Sequence, residues 1–191
     1  MQKSLTKNSI YNVIYTIANI LFPFATSIYV SRILLPAGVG KVASAQNIVS
    51  YFVTLAALGL PSYGVREFAK VREKKHERNK LFTELLLVNI ISTTLAVVGF
   101  IGLVAVNEGF SGQWALYAAC GLSIAFNYLN IDWMYQGLEE YGYITGRSLL
   151  IKGLSLLALF LFVKTREDYV IYALISSLAT GGNYVFNVLN A

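Results

Sequence analysis

The sequence predicts an all-α fold, a polytopic membrane protein built as a six-helix transmembrane bundle, and three observations carry that prediction. The chain of 191 residues is 56% hydrophobic and only 13% charged, with a mean hydropathy of +0.58, whereas a soluble domain is about 25% charged. Apolar stretches follow one another along its whole length, each of about twenty residues and so long enough as a helix to cross a hydrocarbon core of about 30 Å. Between the second and third lies a segment, residues 65–80, that holds seven lysines and arginines. So dense a basic segment resists translocation and is expected to form a cytoplasmic loop.

The chain reads as one domain, 1–191, with its spans in this order. The first covers about 9–31 and carries Pro23 near its middle. A turn over Leu34-Leu35-Pro36-Ala37-Gly38 leads to the second, about 39–60, which closes on the helix-ending sequence Gly59-Leu60-Pro61. After the basic segment the third covers about 81–106, and Asn107 to Gly112 is a short polar turn. The fourth covers about 113–135, residues 136–143 connect, and the fifth covers about 144–163. Lys164 to Asp168 is a charged turn into the sixth, about 169–190. Pro23 and the pair Gly181-Gly182 are expected helix irregularities. Gly121 with Ala125, and Gly99 with Gly102, offer small faces for close helix contact.

Orientation follows from charge. With the N-terminus inside, Lys3, Lys7, the basic segment, Arg147 and Lys152 lie toward the cytoplasm, and Arg32, Lys41, Lys164 and Arg166 toward the far side. That bias agrees with the positive-inside rule. Tyr29, Trp114, Tyr117, Trp133, Tyr135, Tyr169 and Tyr172 fall near span ends, where amphipathic rings favour the headgroup zone. No cleavable leader is expected, since the apolar run after Lys3 and Lys7 is too long for one and no small-residue cleavage site follows it.

Several function classes are disfavoured. The net charge of +5 sits in one loop between apolar segments, which suits membrane lipid headgroups rather than nucleic acid. Cys120 is the one cysteine, so no disulfide within the chain and no thiolate cluster can form, and the one histidine, His76, lies in the basic segment. No metal-ligand spacing, phosphate loop or nucleophile–base pairing is present, and neither an enzyme nor a cofactor is expected. Glu139-Glu140 reads as solvated surface.

The informative groups are polar residues carried to membrane depth. An ionised side chain there costs about 2.5–3.5 kcal/mol on insertion scales, so it faces the bundle interior, a partner or water. Asp132 lies toward the cytoplasmic end of the fourth span, and Arg147 and Lys152 lie in the fifth. Asp132 could pair with either cation, either to fix packing or to line a cavity. Arg32 and Lys41 bracket the far-side turn, where snorkelling competes with a cavity role. Asn12, Asn19, Gln46, Asn47, Asn89, Asn127, Asn183 and Asn187 add amides to span interiors, as interhelical glue or as the lining of a hydrated cavity.

Three segments carry a family resemblance: Pro23 to Leu34 (PFATSIYVSRIL) leading into Gly38-Val39-Gly40, Leu58 to Glu67 (LGLPSYGVRE), and Asn130 to Tyr141 (NIDWMYQGLEEY). The chain resembles the N-terminal half of bacterial O-antigen-type polysaccharide flippases, the Wzx-like branch of the multidrug/oligosaccharidyl-lipid/polysaccharide exporter superfamily. That resemblance implies one lobe of a two-lobe fold in the bacterial inner membrane, moving undecaprenyl-pyrophosphate-linked oligosaccharide units to the outer leaflet beside glycan polymerase or assembly proteins. It makes Arg32, Arg66, Lys152 and Asn127 the candidates for substrate contact, and Asp132 with Arg147 the pairing or coupling groups. Family members carry a second lobe, so the expectation is a fragment. Two alternatives stand: a drug or cation antiporter of the same superfamily, which would call for an acidic cavity, and a non-transporting scaffold of a glycan-assembly complex.

Overall fold

The computed structural model describes residues 5–190, with side chains from Ser9 onward. The expectations resting on Lys3 and Lys7 fall outside it. The elements are α1 (Leu5–Ala57), α2 (Leu60–Lys70), α3 (Lys75–Val106), α4 (Glu108–Ser111), α5 (Trp114–Phe126), a 3₁₀ turn (Asn127–Leu129), α6 (Asp132–Gly137), α7 (Tyr141–Phe162) and α8 (Tyr169–Asn190). The protein is an all-α membrane protein. Three segments, Ser9–Lys70, Lys75–Val106 and Tyr141–Phe162, are long and apolar enough to cross a membrane, and Trp114–Leu129 is a shorter apolar helix.

α1 is two helices joined at one residue. Leu35 has φ 56° and ψ 173°, outside the helical region. It precedes Pro36, and a residue before proline is pushed away from α conformation while the proline, lacking an N–H, suits the start of a new helix. Pro23, by contrast, sits inside the first arm without interrupting it.

Cross-contacts give each helix a direction. Tyr11 O accepts from Thr145 Oγ1 (3.0 Å) and Tyr29 OH donates to Val163 O (2.8 Å), so the first arm, residues 5–34, runs parallel to α7. The second arm, 36–57, runs antiparallel to α3, with Phe52 against Phe100 and Ser92 Oγ donating to Ala56 O (2.6 Å). α5 also opposes α3, with Phe100 filling the space beside Gly121 and Asn89 meeting Asn127. It runs parallel to α8, where Ser123 meets Ser177. α7 and α8 are antiparallel, since Arg147 meets Asn183 and Tyr143 meets Phe186. The first arm, α3 and α7 therefore point one way, and the second arm, α5 and α8 the other. The chain reverses at Leu35.

The core falls into clusters. One joins Val42, Ala45, Val49, Phe100, Leu116 and Ile124 between the second arm, α3 and α5. Another, at the end carrying the basic segment, joins Leu60, Phe68, Leu85, Trp133 and Ile144. Large apolar side chains such as Ile20, Leu95, Ile101 and Leu161 are exposed on the outer helix faces, as lipid contact requires.

Several expectations are corrected. The segment expected as one span over 113–135 breaks after Phe126, and Asp132 and Trp133 stand on α6, a helix of their own. The expected loop 65–80 is largely helical. α2 buries Leu60, Gly64 and Phe68 along one face and packs on α6. The two helices interlock through glycines: the indole of Trp133 lies over Gly64, and Phe68 fills the space beside Gly137. Trp133, Tyr117 and Tyr135 are thus core residues rather than headgroup rings, whereas Trp114 is exposed. Gly181-Gly182 leaves α8 unbroken, and Gly181 instead makes room for the Phe126 ring. Glu139 is half-exposed and pairs there with Arg72 at 2.8 Å.

Candidate functional site

The polar groups converge on a crevice of about 260 Å³ between the first arm of α1, α7 and α8, with α6 at one end. Each element contributes by helical spacing. The first arm supplies Tyr15 and Asn19, one turn apart, and α7 supplies Arg147, Ser148 and Lys152. From α8 come Thr180, Asn183 and Tyr184, and α6 adds Asp132 at its first residue.

Arg147 is the centre of this arrangement. Its side chain is only 4% exposed, and its Nη2 donates to Asp132 Oδ1 at 3.0 Å. Its Nε donates to Asn183 Oδ1 (3.2 Å), and the guanidinium lies 5.5 Å from the Tyr143 ring centroid. Asn187 Nδ2 also donates to Asp132 Oδ1. Tyr135 OH then donates to Asn187 O (2.8 Å) and Tyr143 OH to Phe186 O (2.7 Å), which ties the end of α8 to α6 and α7. Two atoms remain buried without a partner here, Arg147 Nη1 and Asn187 Oδ1.

Lys152 forms the second half. Its Nζ donates to Asn19 Oδ1 and lies 5.7 Å from the Tyr15 ring and 6.0 Å from the Phe22 ring. Beyond it a second space of about 230 Å³ continues past Phe22, Pro23 and Thr26 to Ser155 and Ser176. Lys152 lines both spaces, so the two meet at its side chain.

The structure settles which cation Asp132 takes: Arg147, with Lys152 held by an amide instead. Other expected site residues lie elsewhere. Arg32 is exposed near the reversal at Leu35, about 20 Å along the first arm from Asn19 at helical rise. Arg66 is exposed on α2 and paired with Glu67 at 3.3 Å. Asn127 belongs to a separate buried network. Its Nδ2 donates to Asn89 Oδ1 (3.0 Å) and Thr93 Oγ1 (2.8 Å), and its Oδ1 accepts from Asn130 (3.1 Å). Both donors of that amide are used, so Asn127 fastens α5 to α3 and has no N–H left for a ligand. Tyr15, Ser148, Thr180 and Tyr184 were not singled out by sequence, although Tyr15, Ser148 and Thr180 stand three or four residues before Asn19, Lys152 and Asn183, and Tyr184 stands four after Thr180. Among the described residues no group of three or more metal-ligating side chains is brought together.

A family model described as "Polysaccharide biosynthesis protein" matches residues 5–185. A protein from Escherichia coli (strain K12) described as "Putative O-antigen transporter" is 22% identical over 176 residues, covering 92% of this chain and 42% of that protein. Another of the same description, from Shigella dysenteriae, is 27% identical over 157 residues, covering 80% of this chain and 38% of that one. The chain thus spans about two fifths of the length of the curated relatives it matches. No solved structure gives a significant match.

Proposed function

Because this chain belongs to the polysaccharide biosynthesis protein family, we propose that it forms the N-terminal lobe of a flippase that moves lipid-linked oligosaccharide units across the bacterial inner membrane for surface polysaccharide assembly. The crevice carries this reading. A bundle that sets two cations, Arg147 and Lys152, against one carboxylate, Asp132, at membrane depth has a use for negative charge. A diphosphate linking a glycan to its lipid offers that charge, and the excess is of the wrong sign for a cationic drug. The descriptions of the two relatives as O-antigen transporters point the same way.

On this reading Lys152, half-buried and held by Asn19, is the substrate contact, and the Asp132–Arg147 pair fixes the wall behind it. Arg32 stands at the far end of the first arm, where a moving anion would leave. Six helices cross the membrane with the N-terminus and the basic segment in the cytoplasm, and a second lobe completes the path, because alternating access works by one bundle moving against another. The partners are membrane lipids and the proteins that polymerise the glycan.

The test is surface glycan made from the gene in its own genome. Lys152→Ala is expected to abolish export while the protein still inserts and accumulates in the membrane. Normal surface glycan from that strain would reduce Lys152 to a structural anchor and end the reading.

A further inference from the structure

We propose that the crevice between the first arm of α1, α7 and α8 is a binding site for a small monovalent anion of the chloride class, held between Arg147 and Lys152. Charge balance is the first reason. The crevice is lined by two cations and one carboxylate, and among the described residues its ion pair is Arg147–Asp132. One positive charge is left over. In a medium of low dielectric an uncompensated charge is expensive, and an anion within reach removes that penalty. Lys152 gives one of its three N–H donors to Asn19 and has ring contacts with Tyr15 and Phe22, which leaves donors on the same ammonium for a ligand.

The second reason is independent of charge counting. Arg147 is 4% exposed, with Nε on Asn183 and Nη2 on Asp132, yet Nη1 is buried with no acceptor. A buried guanidinium N–H without a partner forfeits a charge-assisted hydrogen bond. Ser148, itself buried, and Tyr184 add hydroxyl donors to the same lining. One small monoanion balances that surplus charge in full. The site goes beyond the transport reading and does not rest on it, because such an anion would reside in the fold whether or not a glycan is present.

The experiment uses the full chain in detergent micelles, with sodium gluconate replaced stepwise by sodium chloride at constant ionic strength. Wild type is expected to give a saturable excess in the chloride NMR line width that bromide displaces, and a higher melting temperature in chloride than in gluconate. Lys152→Met is expected to weaken chloride binding about tenfold or more. If that variant does not fold, Lys152→Gln, which keeps a polar tip that can reach Asn19, is expected to show the same loss. No saturable excess line width from folded wild type overturns the site, as does unchanged affinity in a folded Lys152 variant.

Discussion

Two charged regions of this molecule do opposite things with charge. The segment from Arg66 to Lys80 holds seven cations, and five of them, Arg66, Lys70, Arg72, Lys74 and Lys80, pair with carboxylates nearby at 2.8–3.9 Å. Those pairs are exposed or half-exposed, and each is rebuilt in water at little loss. The crevice holds three charged groups, with Arg147 almost wholly buried, and each has one set of partners. On the proposed topology, charge in the first region acts as a sum, resisting passage through the bilayer. In the second it acts group by group. On that topology, density of charge in the sequence marks orientation, while scarcity at depth marks the candidate site.

Breaking the buried pair gives the largest expected effect. Asp132→Ala leaves the Arg147 guanidinium buried and unpaired, and is expected to lower unfolding free energy by about 3–5 kcal/mol, read by denaturant unfolding in micelles. A double replacement, Asp132→Leu with Arg147→Met, is expected to recover much of that loss, because it removes the stranded charge. A single-mutant loss no larger than that of a surface pair would erase the contrast between the two regions. Next comes the interlock that carries Asp132. A side chain at Gly137 would meet Phe68 Cβ and lie 3.0 Å from Val65 O, so Gly137→Val is expected to cost about 1–3 kcal/mol. It is also expected to loosen α6 from α2, seen as increased exposure of Trp133 fluorescence.

That dependence explains what the sequence made legible and what it hid. The helical membrane class was open to reading, because lipid leaves the backbone no partner but itself and so demands long apolar runs. The break between Phe126 and Asp132 was not. Ile131, Trp133 and Met134 are apolar, so hydropathy reads through them. What interrupts the helix is side-chain chemistry at Asn130, whose Oδ1 accepts from Asp132 N (3.4 Å) and whose carbonyl accepts from Trp133 Nε1 (3.0 Å). Local bonds of this kind compete with the helical ladder. Once Asp132 sits on a separate helix, its reach is set by how α6 lies on α2 and α7, which no pattern in the chain encodes. The choice of Arg147 over Lys152 thus needed tertiary structure. Asn127 taught the converse: an amide at membrane depth reads the same in sequence whether it faces a cavity or fastens two helices.

The exposed region predicts small effects, and these sharpen the contrast from the other side. Lys74→Ala, which removes a pair to Glu77 whose side chains are 65% and 53% exposed, is expected to change stability by no more than about 0.2–1 kcal/mol, and less at high salt. The smallest effect belongs to the turn between α7 and α8. There Asp168 Oδ2 accepts from the backbone N–H groups of Lys164 (2.9 Å) and Thr165 (2.7 Å). Those backbone donors hold the Asp168 carboxyl below its ordinary 3.8, since they favour the charged form. A carboxylate whose folded value is depressed contributes fully above its unfolded value and loses that contribution as pH falls through the folded one. Protection of the Lys164 and Thr165 amides from hydrogen exchange is therefore expected to be constant from neutral pH down to about 4, allowing for the intrinsic exchange rate, and to fall only below the ordinary aspartate range. In Asp168→Ala it is expected to be low throughout. Protection that persists in Asp168→Ala would mean that the turn is held by its flanking helices, and that exposed carboxylates in this protein, like its exposed cations, leave local structure largely untouched.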